Sequence, residues 1–122
     1  MKTWLMALAV AALLTLVLPV VARLAHADDD LPRGYGHPAD MTKHWYDMSC
    51  CSMSDCEPVD ARAIVETKDG YVVLYRSSRG HVVGPVLVPF SDKKIHLSKD
   101  MDQHACSSSI GTLYCIYVYG GA

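Results

Sequence analysis

Apolar positions fall into two regimes along this chain. From Leu5 to Val21 they form an almost unbroken block, with Lys2 ahead of it, Pro19 near its end and Arg23 just after. From Val59 onward they come instead as short runs of Val, Ile and Tyr cut by turn residues. The block has the layout of a secretory leader: a positive start, an apolar stretch and a small-x-small site at Ala25-His26-Ala27, followed at once by Asp28-Asp29-Asp30. Cleavage after Ala27 is the expectation. The competing reading is an uncleaved anchor, because the run approaches the roughly 17 residues of the shortest spanning helices. Pro19, Arg23 and the Ala-x-Ala site favour cleavage, and no cysteine stands at the end of the run to carry a lipid.

The second regime predicts strands. Residues 61–67 and 71–77 are rich in Val, Ile and Tyr, and Lys68-Asp69-Gly70 lies between them. Asp-Gly between two such runs marks a hairpin, with Gly70 supplying a positive φ. Ser78-Arg79-Gly80 is a second turn signal. Residues 81–90 form another apolar stretch, interrupted by Gly84-Pro85. Pro85 has no N–H for a ladder, which predicts an edge, a bulge or two short strands. Ile95 to Leu97 reads as a short strand. Residues 107–111 turn the chain between His104-Ala105-Cys106 and the run TLYCIYVY at 112–119, the most β-prone segment present. Turns recurring every 8 to 12 residues predict a mainly β fold with little helix, a small antiparallel sheet or partly closed barrel.

Between leader and strands the pattern is different. Residues 28–42 are polar and carry Pro32, Gly34, Gly36 and Pro38, as expected of a loose arm that orders only on contact. Residues 43–58, KHWYDMSCCSMSDCEP, hold three of the five cysteines. A helical turn over 42–48 with Thr42 as its N-cap is expected there, and the rest should be a disulfide-tied loop. The domain plan is a leader at 1–27, an arm at 28–42 and one small disulfide-containing β domain at 43–122.

Charge and size narrow the partners. The whole chain carries 11 basic and 13 acidic residues. Lys2 and Arg23 leave with the leader and every acidic residue stays, so nine basic against 13 acidic residues give a mature charge of −4. No basic run exceeds Lys93-Lys94, which argues against nucleic acid as a partner. The 95 residues after Ala27 make one domain of the size that often needs covalent staples.

All five cysteines, Cys50, Cys51, Cys56, Cys106 and Cys115, follow the leader, so an oxidising compartment makes disulfides their default. Cys106 and Cys115 flank a predicted turn and are the expected pair. One bridge among Cys50, Cys51 and Cys56 is the second expectation, with a direct Cys50–Cys51 link disfavoured by backbone geometry. A cysteine of the loop reaching the C-terminal strand is the alternative. One thiol is left over.

His44, Met48, Cys50, Cys51, Met53 and Cys56 lie within 13 residues and offer imidazole, thioether and thiolate, ligands that suit copper or zinc. The spacing lacks Cys-x2-Cys and a His pair, so stapling outranks metal binding as the reading of this loop. His81, His96 and His104 sit on separate predicted strands, where surface or strand-end positions are expected. Catalysis has little support. His104 next to Cys106 does not establish an activated thiol, a dithiol motif is missing, and Asp100 and Asp102 read as solvated surface. No catalytic residue and no cofactor is expected.

One resemblance adds to this. His44-Trp45-Tyr46, Cys50-Cys51-Ser52 and Asp55-Cys56-Glu57-Pro58-Val59 resemble a group of small exported proteins found largely in alphaproteobacteria. The Asp69-Gly70-Tyr71 hairpin, Val88-Pro89-Phe90-Ser91-Asp92, His104-x-Cys106 and Leu113-Tyr114-Cys115-Ile116-Tyr117-Val118 are similar as well, so the likeness spans roughly residues 44 to 119. It implies a Gram-negative exporter, hence the periplasm, and an odd cysteine that belongs to the family plan. It implies no activity. The resulting expectation is a non-enzymatic exported domain, structural or binding in the cell envelope, with an envelope protein as the candidate partner; the first alternative is a periplasmic copper- or zinc-binding protein, and a more distant one is a thiol redox protein using the unpaired cysteine.

Overall fold

The structure, a computed structural model, describes residues 19, 30–36, 45–51 and 56–119. The leader (Pro19 apart), the Thr42 cap, His44 and Met53 lie outside the described residues. The chain divides into two units, Met1–Leu31 and Pro32–Ala122, and all the regular elements described belong to the second. In chain order these are α1 (Met48–Cys51), β1 (Cys56–Val59), β2 (Ile64–Thr67), β3 (Gly70–Arg76), β4 (Val82–Pro89), β5 (Ile95–Leu97), β6 (Gln103–Ser107) and β7 (Leu113–Val118). Among the described residues no helix is long and apolar enough to cross a membrane.

The fold is mainly β, as the Val, Ile and Tyr runs predict. It has two sheets rather than one, and neither closes: a three-stranded β2-β3-β4 and a four-stranded β1-β6-β7-β5. Between the described strands every pairing is antiparallel except β5 with β7, which is parallel. Strand β1 falls in the stretch expected to be an irregular loop. Pairing with β6 overrides the weak local propensity of Cys-Glu-Pro-Val, and Pro58 is accommodated because β1 is an edge strand.

The hairpin at 67–70 forms, but its two-residue loop is Lys68-Asp69, and Gly70 already pairs with Thr67 as the first residue of β3. Gly70 has φ +146°, and an added Cβ would meet the backbone of Val88 and Pro89. The glycine is therefore required by close approach of β4 as well as by φ. At Gly84-Pro85 the ladder between β3 and β4 is interrupted between Val73 and Tyr75. Strand β4 is an edge strand with this irregularity, so two of the sequence alternatives hold together.

The two sheets pack face to face. Ile64, Val73, Tyr75, Val83 and Val88 from one meet Val59, Ala105, Leu113, Ile116 and Val118 from the other, all buried. Full burial of one such aliphatic side chain stabilises by about 1.5–3 kcal/mol. Tyr75 carries its hydroxyl into this core and donates to Ser107 Oγ at 3.2 Å. His81 spans the neighbouring polar atoms, with Nε2 3.3 Å from Ser107 Oγ and Nδ1 3.0 Å from Ser77 Oγ. Ser107 belongs to β6 and not to the turn expected at 107–111.

The arm is partly tied down. Arg33 bridges to Arg76 and Gly34 to Val59. The buried Glu57 carboxylate accepts the N–H of Gly36 at 2.8 Å and of Ser78 at 3.2 Å. Residues 33–36 thus take backbone partners from the domain itself.

Candidate functional site

The outer face of the four-stranded sheet positions the cysteines. Register places Cys56 opposite Cys106, and Cys106 opposite Cys115. Residues in direct register share a sheet face, so β1, β6 and β7 present three sulfurs in one row. Two residues along, Pro58, His104 and Tyr117 form the next row on that face. Cys50, Cys56, Cys106, Cys115 and Tyr117 make a second buried cluster, against which Trp45, Tyr46 and Cys51 pack. The sheet is therefore covered on both sides. That accounts for the continuous apolar run of β7, since a strand buried on both faces need not alternate.

Asp47 starts the short helix that covers the row. Its Oδ1 accepts the Ser49 N–H at 2.8 Å, and its carbonyl accepts the N–H of Cys50 at 3.0 Å and of Cys51 at 3.2 Å. Asp47 caps the turn at 48–51, because Asp-x-Ser supplies the side-chain acceptor there. Hydrogen bonds from the Ser49 hydroxyl and amide hold the Asp47 carboxyl below its ordinary range. Tyr117 Oη accepts the Asp47 N–H at 2.7 Å, which fixes the helix over the sheet.

This placement changes the expected pairing. Cys115 is bridged to Cys50, with Cα atoms 5.6 Å apart, and not to Cys106. The helix lies over β7 and brings Cys50 to Cys115, while Cys106 is turned to its other neighbour, Cys56, with Cα atoms 4.0 Å apart. Cys56 Sγ is within bonding distance of Cys51 as well, with Cα atoms 6.2 Å apart. The link between Cys51 and Cys56 shares Cys56 with the link to β6. Cys51 Sγ and Cys106 Sγ are 3.5 Å apart.

Four of the six residues proposed as metal ligands are described, Met48, Cys50, Cys51 and Cys56, and among these the structure brings together the cysteines. Met48 is 82% exposed and takes no part in the cluster. A different imidazole arrives instead: His96 Nε2 lies 3.2 Å from Cys50 Sγ, and its ring stacks on Tyr117 with centroids 5.0 Å apart. Two potential ligand sets result, Cys50-His96-Cys115 and Cys51-Cys56-Cys106, each with its ligand atoms within 4.8 Å of one another. The sulfurs of Cys50 and Cys115 are spent on a bond to each other, so that set supplies thiolates only when the bridge is reduced.

His104 is 1% exposed, not a surface or strand-end residue. Its Nδ1 lies 2.7 Å from Tyr46 Oη and its Nε2 2.8 Å from Asp100 Oδ1. With Tyr46 donating to Nδ1, the proton of Nε2 points at the carboxylate, and both ring nitrogens have a partner. Trp45 packs at a near-right angle to the rings of His104, at a centroid distance of 4.9 Å, and of Tyr117, at 5.1 Å. Burial, with the negative charge of Asp100 added, pushes the Tyr46 hydroxyl far above its ordinary pKa. Partial burial also raises Tyr117. At Asp100 burial works against ionisation. Hydrogen bonds from His104, the Asp102 amide and Ser98 outweigh it and hold the carboxyl below its ordinary value.

Sequence reading missed the line Tyr46–His104–Asp100 and the approach of His96 to Cys50. The only signal for the first is the four-residue spacing of Asp100 and His104; nothing in the sequence brings either to Tyr46. The arrangement fixes one apolar face of the sheet beneath a helix and gathers five sulfurs within two adjacent groups, a geometry suited to stapling and to thiol–disulfide chemistry. No protein-family model, curated protein or solved structure matches this chain.

Proposed function

We propose that this chain is an exported, non-catalytic domain of the Gram-negative cell envelope, held by disulfides and acting as a structural or binding module. The observation that carries the reading is the Cys50–Cys115 bridge, which ties the segment before β1 to the last strand across 65 residues. A link of that span in a domain this small belongs to an oxidising compartment. The leader pattern at 1–27 and the resemblance to exported alphaproteobacterial proteins point the same way. A binding role is supported by the row Val65, Val72 and Leu87, in register across the three-stranded sheet, where Val65 and Leu87 are each 50% exposed. Apolar surface of this kind is what contact with an envelope protein partner uses. Cell fractionation with N-terminal sequencing tests the reading: periplasmic protein beginning at Asp28 supports it, and membrane-bound protein beginning at Met1 replaces it with an anchored one.

A second reading, copper or zinc binding in the periplasm, is favoured by the convergence of Cys51, Cys56 and Cys106. Three thiolates in one place suit soft ions. Among the described residues, Cys106 joins two cysteines of the set expected from sequence, and Met48 stays exposed. Native mass spectrometry of the reduced chain with Cu(I) or Zn(II) decides it. One stoichiometric ion lost on Cys106→Ala supports the reading, and an ion-free chain removes it.

A further inference from the structure

Cys56 has two sulfur neighbours and can bond only one at a time. Its Sγ is within bonding distance of Cys51 and of Cys106, and those two sulfurs are 3.5 Å from each other. The chain has five cysteines, and Cys50 is committed to Cys115. The remaining three therefore share one disulfide and one thiol.

We propose that Cys51, Cys56 and Cys106 form an exchange site in which a single disulfide moves between Cys56–Cys106 and Cys51–Cys56, with the free thiol passing between Cys51 and Cys106. The proposal rests on the oxidised, stapled state inferred above. Starting from the Cys56–Cys106 bridge, the Cys51 thiol gives its proton to solvent and the thiolate attacks Cys56 Sγ. The Cys51–Cys56 bond forms, the Cys56–Cys106 bond breaks, and Cys106 leaves as a thiolate that takes up a proton. One S–S bond is made for one broken, so neither oxidant nor reductant is consumed. No large backbone motion is needed, because all three sulfurs are already adjacent.

The two forms differ in what they show to solvent. Cys51 is half-buried at the end of α1, whereas Cys106 is fully buried in β6. The form with the Cys56–Cys106 bridge offers a reachable thiol, a modification site for alkylating agents and small-molecule disulfides. The form with the Cys51–Cys56 bridge hides its thiol in the core, where reagents do not arrive. Exchange thus unmasks and masks one reactive position.

The test uses the purified, oxidised full chain as recovered from cells. It is incubated with N-ethylmaleimide, sampled over time, quenched in acid to stop exchange and digested with pepsin without reduction. Both cross-linked peptides, 51–56 and 56–106, should be found at the start. As labelling proceeds the 51–56 species should disappear, with label accumulating on Cys51 alone and faster at higher pH, because the thiolate is the attacking form. Cys106→Ala should hold only the 51–56 bridge and take no label. Cys51→Ser, altered at a half-exposed position, should hold only 56–106 and likewise take no label. A single Cys56 bridge whose amount does not change during labelling would overturn the exchange while leaving the stapled domain intact. Label on all five cysteines would overturn both.

Discussion

The carboxylate of Glu57 fills the space beside Gly34, so that a Cβ added at Gly34 would fall well inside contact distance of the Glu57 carboxyl group. Glu57 is 6% exposed and takes its hydrogen bonds from the backbone of Gly36 and Ser78. A single buried carboxylate thus pins the 33–36 segment to the loop after β3. Gly34→Ala should displace the carboxylate and leave it short of partners, at a cost of about 1–3 kcal/mol. Urea unfolding should show a lower midpoint, with protection of the Gly36 and Ser78 amides lost in hydrogen exchange. An unchanged midpoint would mean that the segment is not held by Glu57.

The glycine of the hairpin separates two effects. Gly70 has positive φ and backbone neighbours from β4 against it, whereas Gly80 has φ +93° and nothing within 4 Å of its missing Cβ. Gly80→Ala should cost only the conformational term, about 1–2 kcal/mol. Gly70→Ala should cost clearly more, since β4 must shift as well. Thermal midpoints of the two variants compared side by side check this, and equal losses would remove the close approach of Val88 from the account.

How much of this was readable in the sequence varies by element. Strands β2, β3 and β7 and the turn at 68–69 follow from β-branched runs and Asp-Gly chemistry, because these are local preferences. Strand β1 was hidden, since Cys-Glu-Pro-Val has no local drive and exists as a strand only through β6. The aromatic and cysteine cluster was hidden for the same reason. It depends on the helix at 48–51 lying over the outer face of the sheet, which joins residues 58 apart at Tyr46 and His104 and 65 apart at Cys50 and Cys115. Cys106 and Cys115 do face each other across the ladder, as their flanking of a turn suggests. Each is nonetheless claimed by a different sulfur. Register alone cannot rank such neighbours, and the element covering them decides.

Acid should weaken the cluster in a defined window. Asp100 has a folded-state pKa below its ordinary value, so its contribution is present above the unfolded carboxylate pKa of about 3.9 and is lost as pH falls through the lower folded value. Stability measured by urea unfolding should therefore drop below about pH 4. Asp100→Asn should lower stability at neutral pH and flatten that acid limb, because the variant has no carboxylate to protonate and a weaker acceptor for His104. An acid limb of unaltered slope in the variant would show that Asp100 is not a source of it.

The last prediction concerns the long bridge. Losing the Cys50–Cys115 link frees a loop of 65 residues, which chain-entropy arguments put at about 4 kcal/mol, against about 2 kcal/mol for the five-residue Cys51–Cys56 link. Cys50→Ser and Cys115→Ser should each be strongly destabilising, and by similar amounts, because either one opens the same loop. The double variant should be little worse than the single ones, the mark of two residues acting as one unit. Cys51→Ser should be mild, since Cys56 retains Cys106 as a partner and the sheet stays stapled. Urea unfolding of the four variants separates these outcomes. A mild Cys50→Ser beside a severe Cys115→Ser would show that Cys115 is held by another partner, and the pairing of helix to β7 would have to be given up.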